Sequence, residues 1–382
     1  MPDLDAIVKD LPRIREEAER IREVLLAHLV LIGEIPAPTG MEEKRIELIL
    51  QRWAEAGLQN CSTDEKGNGI ALLPGEGGGS DILLAAHADT FVEDIGDQTV
   101  EIGTDRVVGP FVGDNSLALA ALVALPTLLE RLSIRLKSNV LLLATTRALG
   151  RGNLEGLKFF LQNATVHPTR ALCLEGVQLG RLNYSCLGML RGEITVRLPD
   201  NYDWAQFGAT GSIIPMNDVI NRINKIALPR RPLTSIVLGS LEGGLTYSNI
   251  ARETTLRFEV RSESAEILDQ TGRQIGDIAQ EVAAQSGVGV DIDLFARRQP
   301  GGLEIAHPLV QSARAILTAL GLQPMLYPTT SAMSALVDQK IPALTLGVTT
   351  GIRRNQLDEI DEEVAITPMF TGLAQLVGVL QA

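Results

Sequence analysis

The segment of this chain best suited to hold a metal is His87-Ala88-Asp89-Thr90. An imidazole that binds a metal through one ring nitrogen needs its other nitrogen fixed by an acceptor, and a carboxylate two residues on can supply that contact. His87 closes the apolar run ILLAA, so the pair falls where a buried strand gives way to polar residues. Taken alone the motif is common, because many buried strands have polar ends. Two further acids occupy comparable places. Asp114, in GPFVGDNS, lies on a glycine-bearing turn just before a long apolar run, and by itself reads as an N-cap for the helix that follows. Glu175, in LEG, ends the run ALCL and by itself is a strand-end acid.

The elements that would position these residues follow from the apolar pattern. Residues 3–33 alternate charged and apolar positions at helical spacing until Pro36, Pro38 and Gly40 interrupt them. Glu42 to Gly57 reads as a second helix, followed by short apolar strands between glycine-rich turns, the last of them ILLAAHAD. A long apolar helix over 116–132, a strand over 138–144 and a helix over 153–163 continue an alternation that implies a largely parallel sheet covered on both faces. Ligands of such sheets sit beyond the carboxyl ends of the strands, which is where His87, Thr146 and Glu175 fall.

Near Cys186 the pattern changes. LGMLRGEITVRL alternates as a half-exposed strand, 215–227 reads as a helix, LTSIVLGSLEG and TTLRFEVRS as two strands, 265–286 as a long helix and VGVDIDLFA as a last strand. The order βαββαβ is that of a split, ferredoxin-like unit. Beyond Pro300 the first pattern returns, with helices over 308–320 and up to 339, the buried strand IPALTLGV, and a final helix from Pro368. The predicted fold class is α/β: a mainly parallel sheet flanked by helices, interrupted by an inserted α+β domain. The expected divisions are residues 1–185, 186–298 and 299–382, the outer two forming one domain.

Composition narrows the function classes. The formal charge of -13 opposes the basic footprint that non-specific nucleic-acid binding requires. The three cysteines, Cys61, Cys173 and Cys186, form no CxxC pair, so neither a disulfide framework nor a thiolate zinc site is indicated. The N-terminal segment is charged and helix-periodic, unlike a secretory signal, and no run of about 18 apolar, uncharged residues offers a membrane span. A cytoplasmic protein with neither nucleic-acid nor membrane partners is the expectation.

Taken in order, these segments resemble the M20 family of zinc peptidases and amidohydrolases, which includes aminoacylases, glutamate-releasing carboxypeptidases, tripeptidases and succinyl-diaminopimelate desuccinylases. The resemblance spans nearly the whole chain. It rests on HAD with Thr90, GPFVGDNS, TTRALG and LEG, and, within the insertion, on GATGSIIP and SNIARETTLRFEVR, where Asn249 and Arg261 match usual positions. It implies a zinc-peptidase fold with a lid domain, and homodimerisation through that lid. It also implies that His87, Asp114 and Glu175 hold a first metal, with Asp114 bridging to a second and Asp89 orienting His87. Such a pair of ions, about 3.5 to 4 Å apart, polarises the scissile carbonyl and acidifies a shared water, whose proton a glutamate then accepts.

The sequence departs from that pattern where the second metal and the base should be. The general-base position carries Arg147, the neighbouring second-metal ligand is Ala148, and the last ligand, a histidine in the family, is Asn355. The lid histidine falls at Ser212 and a late aspartate at Ala332. Residues 138–152 contain no acid, so the loss does not depend on exact alignment. A missing general base costs about 10²- to 10⁴-fold in rate, and a missing oxyanion donor about 10²- to 10³-fold more. An arginine cannot serve as the base, since its pKa stays above about 12.

The expectation is therefore a degenerate family member without ordinary two-metal peptidase activity, holding one zinc or other divalent ion at most. Two alternatives stay open: a slow one-zinc amidohydrolase acting on peptides or N-acyl amino acids, and a binding or assembly protein using the old cleft for an anionic ligand. Arg147, Arg353 and Arg354 are the anion-binding candidates, although Arg151, Arg353 and Arg354 read more readily as solvated surface charge. His167 and His307, each before a proline, read as turn residues.

Overall fold

The computed structural model describes residues 4–77, 81–91, 97–202, 210–352 and 361–382. The chain divides into two compact units, one made of Met1–Ser185 with Gly302–Ala382, the other of Cys186–Gly301.

In the first unit, α1 (Leu4–Arg20) buries Ile7, Leu11, Ile14 and Ala18 along one stripe, and α2 (Arg22–Gly33) continues it. The sequence reads as one helical run there. The structure divides it at Ile21, whose carbonyl still accepts from the Leu25 N–H. Next come α3 (Glu43–Glu55), β1 (Gln59–Thr63), β2 (Gly69–Leu73) and β3 (Ile82–His87), followed by β4 (Glu101–Ile102) and β5 (Arg106–Pro110). An irregular turn at Val112–Ser116 leads into α4 (Leu117–Leu132), then β6 (Val140–Thr145), α5 (Glu155–Asn163), β7 (Arg170–Val177) and β8 (Leu182–Asn183).

The second unit holds β9 (Gly188–Arg197), α6 (Ile213–Ile223), β10 (Thr234–Gly243), β11 (Glu253–Ser262), α7 (Ala265–Ser286) and β12 (Gly289–Arg298). Its strands pair antiparallel in the order β10-β11-β9-β12, the ferredoxin-like arrangement. The Ser264 side chain caps the start of α7, and Gly287, at φ 69°, lets the chain leave its end in the left-handed region.

The first unit resumes with α8 (Pro308–Ala319), α9 (Met333–Asp338), β13 (Ala343–Thr349), β14 (Gly351–Ile352), β15 (Asp361–Ala365) and α10 (Thr367–Gln381). Its main sheet runs β1-β2-β6-β3-β7-β13-β8. The central strands β6, β3, β7 and β13 are parallel, while β1, β2 and β8 join antiparallel at the margins. The α/β fold class with its inserted α+β unit is thus the observed one.

Parallel pairing brings His87, Thr145 and Glu175 to the same end of the sheet. All six residues of β3 and all six of β6 are buried, which explains why both read as continuous apolar runs. Residues 112–132 are long and apolar enough to cross a membrane, but α4 is a core helix, with every residue from Leu117 to Pro126 buried. A second, antiparallel sheet, β14-β15-β5-β4, has no clear sequence signal because its strands are short and, in β15, acidic. That small sheet carries a residue important to the site.

Candidate metal centre

His87, Asp114 and Glu175 each offer a donor atom, and the three atoms lie within 4.8 Å of one another. His87 Nε2 is 3.2 Å from Asp114 Oδ1, and His87 Nδ1 faces the Asp89 carbonyl oxygen at 3.1 Å and Asp89 Oδ1 at 3.3 Å. Donors about 2.1 Å from a tetrahedral zinc stand about 3.4 Å apart, which the His87–Asp114 pair matches, with Glu175 within 4.8 Å of both.

Three devices hold the cluster together. Asn115 is buried and grips the backbone on both sides of Glu175: its Nδ2 donates to the Leu174 carbonyl at 3.0 Å, and its Oδ1 accepts from the Gly176 N–H at 2.8 Å. This clamp fixes the Asp114 turn against β7. Gly176 permits the approach, since a Cβ there would lie 2.3 Å from the Gly113 carbonyl oxygen. Glu362, on β15, is buried and accepts from the Gly113 and Asp114 N–H groups at 2.8 Å each. Asp114 therefore does not cap α4; the residue at that helix's N-cap is Ser116, which makes no side-chain cap bond. Asp89, fully buried, accepts from Thr39 Oγ1 and from the Leu149 N–H, both at 2.8 Å, and so ties the end of β3 to two neighbouring loops.

The turn after β6 is as well anchored as the cluster. Thr146 N–H donates to Asn68 Oδ1, Arg147 N–H to Glu42 Oε1 and Leu149 N–H to Asp89 Oδ2. Arg147 sits in the left-handed region at φ 50°, a conformation uncommon for a residue with a side chain and held here by its surroundings. Its guanidinium, 42% exposed, pairs with Glu155 at 3.3 Å, so this anion-binding candidate is engaged by an internal carboxylate. The adjacent Ala148 side chain is buried. Arg353, Arg354 and Asn355 lie outside the described residues.

In the second unit, Ser212 is fully buried and bonded to the Ala251 carbonyl at 3.0 Å and to Thr254 Oγ1 at 2.7 Å, a packing role within that unit. Arg261 pairs with Glu259 at 2.6 Å, and Asn249 is exposed. Ala332 occupies the N-cap position of α9. His307 accepts from the Leu309 N–H and caps α8.

Two buried groups show how charge is balanced here. Arg45 is enclosed, donating to the Ala88 and Ile35 carbonyls; burial pushes its pKa down to about 10, against the pull of Asp89 and Glu42, and it stays protonated at neutral pH. Burial also acts to lower the pKa of His87, but its hydrogen bonds to Asp114 and Asp89 and the charges of those acids outweigh it. The imidazole is held well above its usual range.

Glu362 and Asn115 have site roles that sequence reading did not assign. Asn115 stands inside GPFVGDNS, but nothing in the spacing shows that it reaches to β7; Glu362 sits in an acidic segment that looks like solvated surface.

No protein-family model matches the sequence, and no curated protein matches it. Solved structures do. The novel di-peptidase Dug1p of Saccharomyces cerevisiae superimposes with a TM-score of 0.78 at 11% identity, over 97% of this chain and 98% of that one. A tripeptidase of Staphylococcus aureus gives 0.74 at 18% identity, over 94% and 98%. The YXEP protein of Bacillus subtilis, described as a dinuclear metal binding peptidase of the M20 family, gives 0.58 at 15% identity, over 94% and 99%. The architecture defines a metallopeptidase-type scaffold. Its fold is that of the M20 peptidases.

Two outcomes follow from this geometry. Asn115→Ala leaves the Leu174 carbonyl and the Gly176 N–H buried without partners, and is expected to cost about 2 to 4 kcal/mol, read as a lower denaturant midpoint. Because the folded-state pKa of His87 is raised, its protonation contributes stability that is fully present below the unfolded value of about 6.5 and is lost as pH rises through the folded value. Metal-free protein should therefore become easier to unfold from pH 6.5 upward. His87→Gln should flatten that slope, and an unchanged slope would remove His87 as its source.

Proposed function

We propose that this chain is an M20-type hydrolase scaffold that does not run two-metal peptidase chemistry and that holds at most one divalent ion, at His87, Asp114 and Glu175. The observation that carries this reading is the turn after β6. Its backbone is fixed by three buried acceptors and abuts Asp89, yet it contributes a guanidinium committed to Glu155 and a methyl group. Neither can bind a cation or accept a proton at neutral pH. Among the described residues, one His/Asp/Glu cluster has metal-ligand spacing.

A one-ion amidohydrolase acting on peptides or N-acyl amino acids is the second reading, and the donor set favours it. Three protein ligands leave a fourth position for water, and a bound ion supplies a more acidic water and a polarised carbonyl. The chain's own part is then to fix the tautomer of His87 through Asp89, and the carboxylates through Asn115 and Glu362.

Homodimerisation through the inserted unit belongs to the same proposal. Strand β10 is an edge of its sheet, and its outer half exposes Val237 and Leu241. An edge of that kind can pair with its own copy.

Purified protein incubated with zinc, cobalt or manganese should retain no more than about one ion per chain by elemental analysis. Dipeptides and N-acyl amino acids should show no metal-dependent turnover approaching the roughly 10 s⁻¹ of an ordinary enzyme. Two ions per chain, or turnover at that rate abolished by His87→Ala, would contradict the leading reading. Restoring the missing groups together, as Arg147→Glu, Ala148→Glu and Asn355→His, should raise uptake toward two ions. For the dimer, sedimentation should give twice the chain mass, and Leu241→Lys should shift it toward the monomer; a monomeric wild type removes that part of the proposal.

A further inference from the structure

Arg181 lies on the tight turn that follows the strand bearing Glu175. The turn is closely held: Leu179 N–H donates to the Thr349 carbonyl, Gly180 adopts φ 90° with its carbonyl accepting from the Met325 N–H, and Arg181 N–H donates to the Gln178 carbonyl. From this base the Arg181 side chain, 14% exposed, brings Nη1 to 4.0 Å from Glu175 Oε2. Its guanidinium carbon stands 6.0 Å from the Tyr327 ring centre, within cation–π range, and its Nε is buried with no hydrogen-bond partner. A cation with an unsatisfied donor is thus fixed beside one of the three candidate metal ligands.

We propose that Arg181 is a resident counter-cation of this site, competing with a divalent ion for Glu175 and holding the metal affinity of the pocket low. The inference rests on the reading of His87, Asp114 and Glu175 as a one-ion site. The physical reason is simple. A guanidinium keeps its charge across the accessible pH range, so an entering ion meets like charge at the carboxylate it must bind. In a pocket shielded from water that repulsion is poorly screened. Arg147 cannot play this part, because its guanidinium is turned to Glu155. The M20-type site has on this view changed in two ways: donors for a second ion are missing, and a fixed positive charge stands beside the first.

The test is titration of full-length, metal-stripped protein with Co²⁺, followed by the visible absorption of the bound ion and by calorimetry. Arg181→Gln and Arg181→Met, two neutral replacements of similar length, should each bind Co²⁺ at least about tenfold more tightly than wild type. Arg181→Lys, which keeps the charge, should stay within about threefold of wild type, and His87→Ala should abolish binding. Circular dichroism confirms that each variant is folded, and the pair of neutral variants guards against the failure of one. If wild type binds Co²⁺ through His87 and both neutral variants bind no more tightly, the counter-cation role is wrong while the one-ion site stands. Absence of Co²⁺ binding in wild type and in every Arg181 variant overturns both.

Discussion

The constraint on which this structure turns is the crowding of carboxylates at the carboxyl ends of a buried parallel sheet. Asp89, Glu175 and Glu362 are nearly or wholly inaccessible to water, and Asp114 is close to it. Unpaired, such charges would repel one another and lose hydration worth several kcal/mol each. The chain answers with internal donors. Backbone N–H groups of Gly113, Asp114 and Leu149 donate to Glu362 and Asp89, His87 bonds to Asp89 and Asp114, and Arg45 and Arg181 stand close by. A pocket that stores this much negative charge is suited to a cation, whether the cation comes from solution or from the protein.

That balance separates the parts of the site by what they do for the fold. Asp89 ties three chain segments, and Asn115 and Glu362 hold the Asp114 turn. Removing any of them strands buried backbone groups, so each has a structural reason to be there apart from any chemistry. The positions that carry Arg147 and Ala148 are different. The turn beneath them is held through its backbone N–H groups, with the Thr146 hydroxyl donating to the Lys66 carbonyl and Arg147 paired with Glu155. An exposed ion pair such as that of Arg147 contributes little to the fold, so the side chain there can differ while the backbone of the turn stays as it is.

Much of the architecture was legible in the sequence because it rests on burial patterns. The runs ILLAA and VLLLA announce strands covered on both faces, and the alternation in GEITVRL announces one that is half exposed. Of the candidate site, His87, Asp114 and Glu175 were legible because HAD, GPFVGDNS and LEG stand in the order that the M20 resemblance rests on. The small sheet of β4, β5, β14 and β15 was not, because two- to five-residue strands with charged residues give no periodic signal. Glu362 was hidden with it. Arg181 was missed for another reason: its approach to Glu175 depends on a turn whose path is set by contacts to Thr349 and Met325, far along the chain.

The side chains of a metal site can be held by the ion or by the protein around it. In a site whose ligands are positioned only by the ion, removing the ion removes the structure as well. Here the ligands are positioned by Asn115, Glu362 and Asp89, and their charge is met by His87, Arg45 and Arg181. On the proposed one-ion reading, metal affinity is set by how readily these internal cations give way, a quantity that a change at a single position such as Arg181 would tune.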